Sequence, residues 1–99
     1  MGMLVDWMCS QCGYAAVVSG GDDVGMAAAT TTIVCRGCQK LYDVVTSRKP
    51  WLEKPAGWEA RLRCPTRIRR HVVEQWTGPG ACPRCGATIE PGRKVVMWD

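Results

Sequence analysis

The apolar positions of this chain come in short runs separated by turn chemistry, and none sustains a helical period. Residues 13–19 (GYAAVVS) are apolar and β-compatible, and Gly20-Gly21-Asp22-Asp23 after them forms turns. Residues 26–34 end in Thr30-Thr31-Thr32-Ile33-Val34, a β-branched run that favours strand over the helix that Ala27, Ala28 and Ala29 would allow. Residues 13–34 therefore read as a hairpin with its loop around 19–25, and residues 41–45 as the next strand. Residues 46–60 hold Pro50, Pro55 and several charges and read as an irregular connector with at most one helical turn. Trp51 and Trp58 within it are expected to pack back onto the body. Residues 68–76 read as a strand centred on Val72 and Val73, and residues 77–80 as a turn. Residues 87–89 and 94–98 read as a closing hairpin around Glu90-Pro91-Gly92-Arg93. The expected class is a small, metal-stabilised, mainly β fold with low helix content.

Composition says that such a fold needs help. The 99 residues include no Phe, five Trp and two Tyr. Much of the apolar share is Ala, Val and Cys, which bury little area each. A chain this short with so thin a core is expected to carry a staple, and its seven Cys supply one. Residues 1–6 hold neither the basic nor the apolar region of a secretory leader. No apolar run approaches the roughly 18 residues of a membrane span. The expectation is a cytoplasmic chain whose thiols stay reduced, and seven thiols would leave one over in a disulfide framework.

Three pairs have the C-x-x-C spacing: Cys9/Cys12, Cys35/Cys38 and Cys82/Cys85, with Cys64 alone. Two thiolates three residues apart on a tight turn can both reach one ion, at about 2.3 Å each. Gly13 and Gly86 follow two of the pairs and permit the left-handed backbone that aims amide N–H groups at sulfur. This is a zinc knuckle, and two facing knuckles make a four-cysteine site. The interval from Cys12 to Cys35 suits an out-and-back excursion, so Cys9, Cys12, Cys35 and Cys38 are expected to form one site. Cys64, Cys82 and Cys85 are left for a second, with His71, the chain's one His, as candidate fourth donor. An interleaved arrangement, first knuckle with last, is the alternative. The expected division is an N-terminal zinc ribbon at 1–46, the connector at 47–60 and a C-terminal ribbon at 61–99. One or two Zn²⁺ are the expected cofactor. A mononuclear iron–thiolate site has the same knuckles, which leaves a rubredoxin-like electron carrier as the rival reading, with a zinc-dependent enzyme behind it should His71 leave the second site open. No C-x-x-C stands at a strand-to-helix junction, so thioredoxin-like chemistry is not expected.

Cys9-Ser10-Gln11-Cys12-Gly13-Tyr14 and Cys82-Pro83-Arg84-Cys85-Gly86-Ala87 resemble rubredoxin knuckles. With the intervening Cys35/Cys38 knuckle and terminal Trp98-Asp99, the whole chain is similar to small bacterial zinc-ribbon proteins of uncharacterised function. The resemblance implies a tandem zinc-ribbon fold and a metal, not an activity. Arg67 departs from the pattern, standing where a second ribbon would place the partner of Cys64.

Charge is uneven. Residues 1–46 carry two basic side chains against four acidic, and residues 47–99 eleven against five. The formal net charge of +4 falls to about +1 once seven thiolates hold two Zn²⁺. Arg61, Arg63, Arg67, Arg69 and Arg70, flanked by Trp58 and Trp76, are candidates for phosphate and base contacts. The same run also suits a solvated face or contact with a protein partner. No nucleophile–base pair and no phosphate loop is visible, and a site of four cysteines is closed to water. The expectation is a binding or adaptor module, not an enzyme, with a protein partner or nucleic acid and no membrane or small-molecule substrate.

Overall fold

The computed structural model describes residues 2–25, 28–48, 57–58, 62–66 and 71–98. Among them there is no helix, and eight strands form two sheets. The first sheet has the order β2-β1-β8-β7, from β1 (Gly2–Met8), β2 (Ala15–Val18), β7 (Gly80–Ala81) and β8 (Thr88–Trp98). In the second, β4 (Ala29–Cys35) lies between β5 (Lys40–Ser47) on one side and β3 (Asp23–Val24) and β6 (Val73–Gln75) on the other. The fold is thus mainly β, as the turn-punctuated apolar runs imply.

Both sheets mix early and late parts of the chain, which corrects the division into ribbons at 1–46 and 61–99. β1 runs antiparallel to β8, from Gly2 opposite Trp98 to Met8 opposite Glu90. β6 pairs with β4, placing Cys35 opposite Val73. Two hairpin expectations change for the same reason. Residues 13–34 do not form a single hairpin: β2 pairs with β1, and β4 with β3, β5 and β6. Glu90-Pro91-Gly92-Arg93 is not a turn but lies inside the continuous β8. The register shifts there, with Val5 opposite Val95 and Trp7 opposite Pro91. Gly92 sits where a Cβ would lie 2.8 Å from the Asp6 carbonyl oxygen, so the strand bulges past β1 with its ladder resuming beyond. Most of the expected connector, including Trp51, and the first part of the expected 68–76 strand lie outside the described residues; Trp58 is half-buried.

The core joins the sheets. Trp7 and Trp76 meet edge to face at 5.3 Å between ring centroids, a geometry that pairs ring edge with ring face. Each indole N–H is satisfied, by the Val18 carbonyl at 3.1 Å and the Ala81 carbonyl at 3.0 Å. Buried Tyr14 accepts the Leu41 backbone N–H at 2.8 Å, tying the first turn to β5. Fully buried Thr32 uses its hydroxyl completely. It accepts from the Gly20 and Gly21 N–H groups and donates to Asp43, which also takes the Ser19 N–H and hydroxyl. Burial pushes the Asp43 carboxyl up, against the opposing pull of these donors.

Candidate metal centres

The two C-x-x-C-G segments fold into turns with the same hydrogen-bond pattern. In the first, Cys9 N–H donates to the Tyr14 carbonyl at 2.8 Å and Gly13 N–H to the Cys9 carbonyl at 3.0 Å. In the last, Cys82 N–H donates to the Ala87 carbonyl at 2.7 Å and Gly86 N–H to the Cys82 carbonyl at 3.0 Å. Gly13 and Gly86 both have φ of 80°, the left-handed region their sequence position implied. In the middle knuckle Gln39 takes that position with φ of 55°, so the turn forms there without glycine.

The β1–β8 ladder sets the first knuckle against the last, and Cys9, Cys12, Cys82 and Cys85 gather with all four Sγ atoms within 4.8 Å of one another. Cys9–Cys85 and Cys12–Cys82 are 3.5 and 3.6 Å apart. A tetrahedron of sulfurs about 2.3 Å from an ion has edges of about 3.8 Å, so the four thiols frame a metal-sized space. The expected pairing of Cys9 and Cys12 with Cys35 and Cys38 is therefore corrected. The interval between them does run out and back, but across two different sheets.

Cys35 and Cys38 gather instead with Cys64 and His71. The Cys64 Sγ lies 3.4 Å from Cys35 and 3.5 Å from Cys38. His71 Nδ1 lies 3.5, 3.4 and 3.7 Å from Cys35, Cys38 and Cys64. With Zn–S of about 2.3 Å and Zn–N of about 2.0 Å, a tetrahedral S–N edge is about 3.5 Å, and the set fits. The β4–β6 ladder delivers His71, two residues before β6, beside Cys35.

Three further residues serve this second centre and were not singled out from the sequence. The Thr66 hydroxyl lies 2.8 Å from the Cys64 Sγ, two positions along the incomplete Cys64-Pro65-Thr66-Arg67 knuckle. The nearby Cys38 thiol, and after it burial, pushes the Tyr42 phenol up to about 12, so Tyr42 keeps its proton next to this centre. Gly37 lies under the His71 ring, where any Cβ would collide with the imidazole. Only Gly37 left a signal in the sequence, as a glycine between the two ligands of a knuckle.

Proton affinities divide unevenly within each cluster. The Cys12 backbone N–H leads the donors that lower Cys9 to about 6, while burial opposes them. Its neighbour Cys85 has the Ala87 backbone favouring its thiolate, yet its contacts with Cys9, Cys12 and Cys82 push it up to about 12. In the second centre burial opposes ionisation of Cys64, but Thr66 and His71 bring it down to about 6. Burial drives the Cys35 thiol upward. Crowded thiols thus resist losing their protons together, and a divalent cation is what removes that resistance.

Of the five candidate arginines, only Arg63 lies among the described residues, where it donates to the Leu62 carbonyl at 2.8 Å. No protein-family model, no curated protein and no solved structure matches the chain. Two cysteine-rich clusters in a small, mainly β protein fit a tandem zinc-ribbon-like arrangement and make the chain a candidate structural metal-binding module.

Proposed function

We propose that the chain is a structural zinc protein with two closed centres, Cys9/Cys12/Cys82/Cys85 and Cys35/Cys38/Cys64/His71, whose scaffold presents a surface to a protein partner. The observation that carries this reading is that each cluster supplies four donors at tetrahedral spacing. Four protein donors leave no position for a reacting water, which favours scaffolding over catalysis. The His donor of the second centre favours zinc over the all-thiolate iron of a rubredoxin. Elemental analysis of protein produced without added metal tests the reading: two zinc ions per chain and a colourless solution are expected. Red, iron-loaded protein, or less than one metal per chain, would overturn it.

A further inference from the structure

The two sheets meet along the edges β2 and β5, which side-chain hydrogen bonds tie at either end of β2. β2 has one ladder neighbour, β1, and β5 has one, β4. At one end the Leu41 N–H reaches the Tyr14 hydroxyl, and at the other the Ser19 N–H reaches Asp43. Between these ties no backbone ladder joins β2 to β5 among the described residues. A groove of about 390 Å³ opens there instead, lined by residues that include Tyr14, Val17, Lys40, Leu41 and Arg84.

The charge of this groove is of one sign. Lys40 and Arg84 are its only charged lining residues. Both are exposed, and neither has a carboxylate partner among the described residues, where the ion pair found is Arg36–Glu74. Arg84 is also held in place, its guanidinium 5.2 Å from the centroid of the Tyr14 ring. Val17, exposed on the edge strand, supplies an apolar contact beside the cations.

We infer that this groove binds an extended, acidic segment of a partner protein. An extended chain is the occupant that a strand edge recognises, through backbone hydrogen bonds with alternate side chains directed to the surface. Carboxylate side chains answer Lys40 and Arg84. A nucleic acid would also meet two cations, but it needs an open aromatic face for stacking. Tyr14 is buried, and Arg84 lies over its ring. This inference names the kind of partner for the scaffold proposed above and rests on that reading.

The test uses zinc-loaded full-length protein and a hexapeptide library with one position fixed in turn as Glu, Gln, Lys or Val. Selection of Glu over Gln is expected, with amide shift changes concentrated at residues 15–18 and 40–41. Exposed ion pairs are each worth up to about 1 kcal/mol, so Lys40→Gln with Arg84→Gln should weaken binding about tenfold. Neither side chain ligates metal, and zinc content measured on the same samples should stay at two per chain. Binding that ignores the double substitution, equal selection of Gln, no selection at all, or preferential binding of a single-stranded oligothymidine would each overturn the inference. If zinc is present at two per chain in those cases, the scaffold reading survives and only the groove assignment falls; if zinc is absent, the scaffold reading fails first.

Discussion

The centre built from Cys9, Cys12, Cys82 and Cys85 takes its donors from two copies of one turn, whereas the centre of Cys35, Cys38, Cys64 and His71 has one such turn and two donors from irregular chain. The repeated turn is locally encoded: Cys spacing, a left-handed glycine and two backbone hydrogen bonds fix its sulfurs before any partner arrives. The β1–β8 ladder then has only to bring two finished halves together. The second centre is assembled by its surroundings, since Thr66, Tyr42 and the gap over Gly37 all act on its donors. Exposure divides them less sharply. Each centre has two buried ligands, Cys9 and Cys82 in the first and Cys35 and Cys64 in the second; the other two are exposed in the first (Cys12, Cys85) and half-buried in the second (Cys38, His71). The regular motif leaves two of its ligands open to solvent, and the irregular one covers its outer pair in part.

Removing both metals should erase the comparison and the fold together. Structural zinc contributes roughly 10–16 kcal/mol in small peptides, comparable with the roughly 5–15 kcal/mol of a whole domain. Circular dichroism in excess chelator should show loss of the cooperative melt, and a colorimetric zinc dye should register release in two phases. The first phase belongs to the centre with exposed Cys12 and Cys85. Acid should act likewise. Cys9 and Cys64 are lowered from 9.0 to about 6, so their thiolate contribution is complete above the unfolded value and lost as pH falls through the folded one. Metal retention should therefore weaken as pH falls, because protons compete with the metal for the same thiolates.

Ligand deletions in pairs separate the centres. Cys12→Ala with Cys85→Ala should leave one zinc per chain, as should Cys35→Ala with His71→Ala. The crossed pair, Cys12→Ala with Cys35→Ala, should leave none. Sequential pairing of the knuckles predicts the opposite pattern, with one zinc kept in the crossed double. Metal content by mass spectrometry under native conditions decides between them.

Side chains that touch no metal should alter metal affinity chiefly at the second centre. Gly37→Ala forces the His71 ring aside, and Thr66→Val removes the hydroxyl beside Cys64. Loss of such outer partners typically costs about 10–100-fold in metal affinity. Competition with a chelator of known affinity should show that loss for one zinc of the two. Equal weakening of both would mean that the centres are not independent.

The same contrast explains what was legible in the sequence. Knuckle turns, β-branched Thr30–Val34 and the strand at residues 41–45 follow from nearest neighbours and could be read directly. Residues 2–8 showed no alternation, because Gly2 and Asp6 interrupt the apolar positions and β8 supplies the partner from the far end of the chain. That ladder, joining the two ends of the chain, was the missing fact behind the ligand pairing. Interval counting favoured Cys9/Cys12 with Cys35/Cys38 because it assumes that an excursion returns within one sheet. Pro91-Gly92 misled similarly: turn chemistry and bulge chemistry share residues, and only the opposing Asp6 carbonyl distinguishes them.

The smallest effect isolates the turn itself. Gly13 and Gly86 have φ of 80°, and a Cβ at either meets nothing within 4 Å, so Gly→Ala there tests backbone conformation alone. A left-handed residue with a Cβ costs about 1 kcal/mol or slightly more, and the freedom that the unfolded chain loses with the glycine, about 0.5–1 kcal/mol, offsets part of it, so each substitution should lower stability by about 0.5 kcal/mol. Gln39 already bears this cost at φ of 55°. Gln39→Gly should recover it, less the extra freedom glycine gains when unfolded, about 0.5–1 kcal/mol. The net gain is about 0.5 kcal/mol, or a rise of about 2–4 °C in Tm for a chain of this size. Thermal melts of the zinc-loaded variants should thus shift in opposite directions, down for Gly13→Ala and Gly86→Ala and up for Gln39→Gly. A fall in Tm for Gln39→Gly would show that its side chain, which lines a second groove beside Glu74 and Trp76, contributes more than its backbone costs.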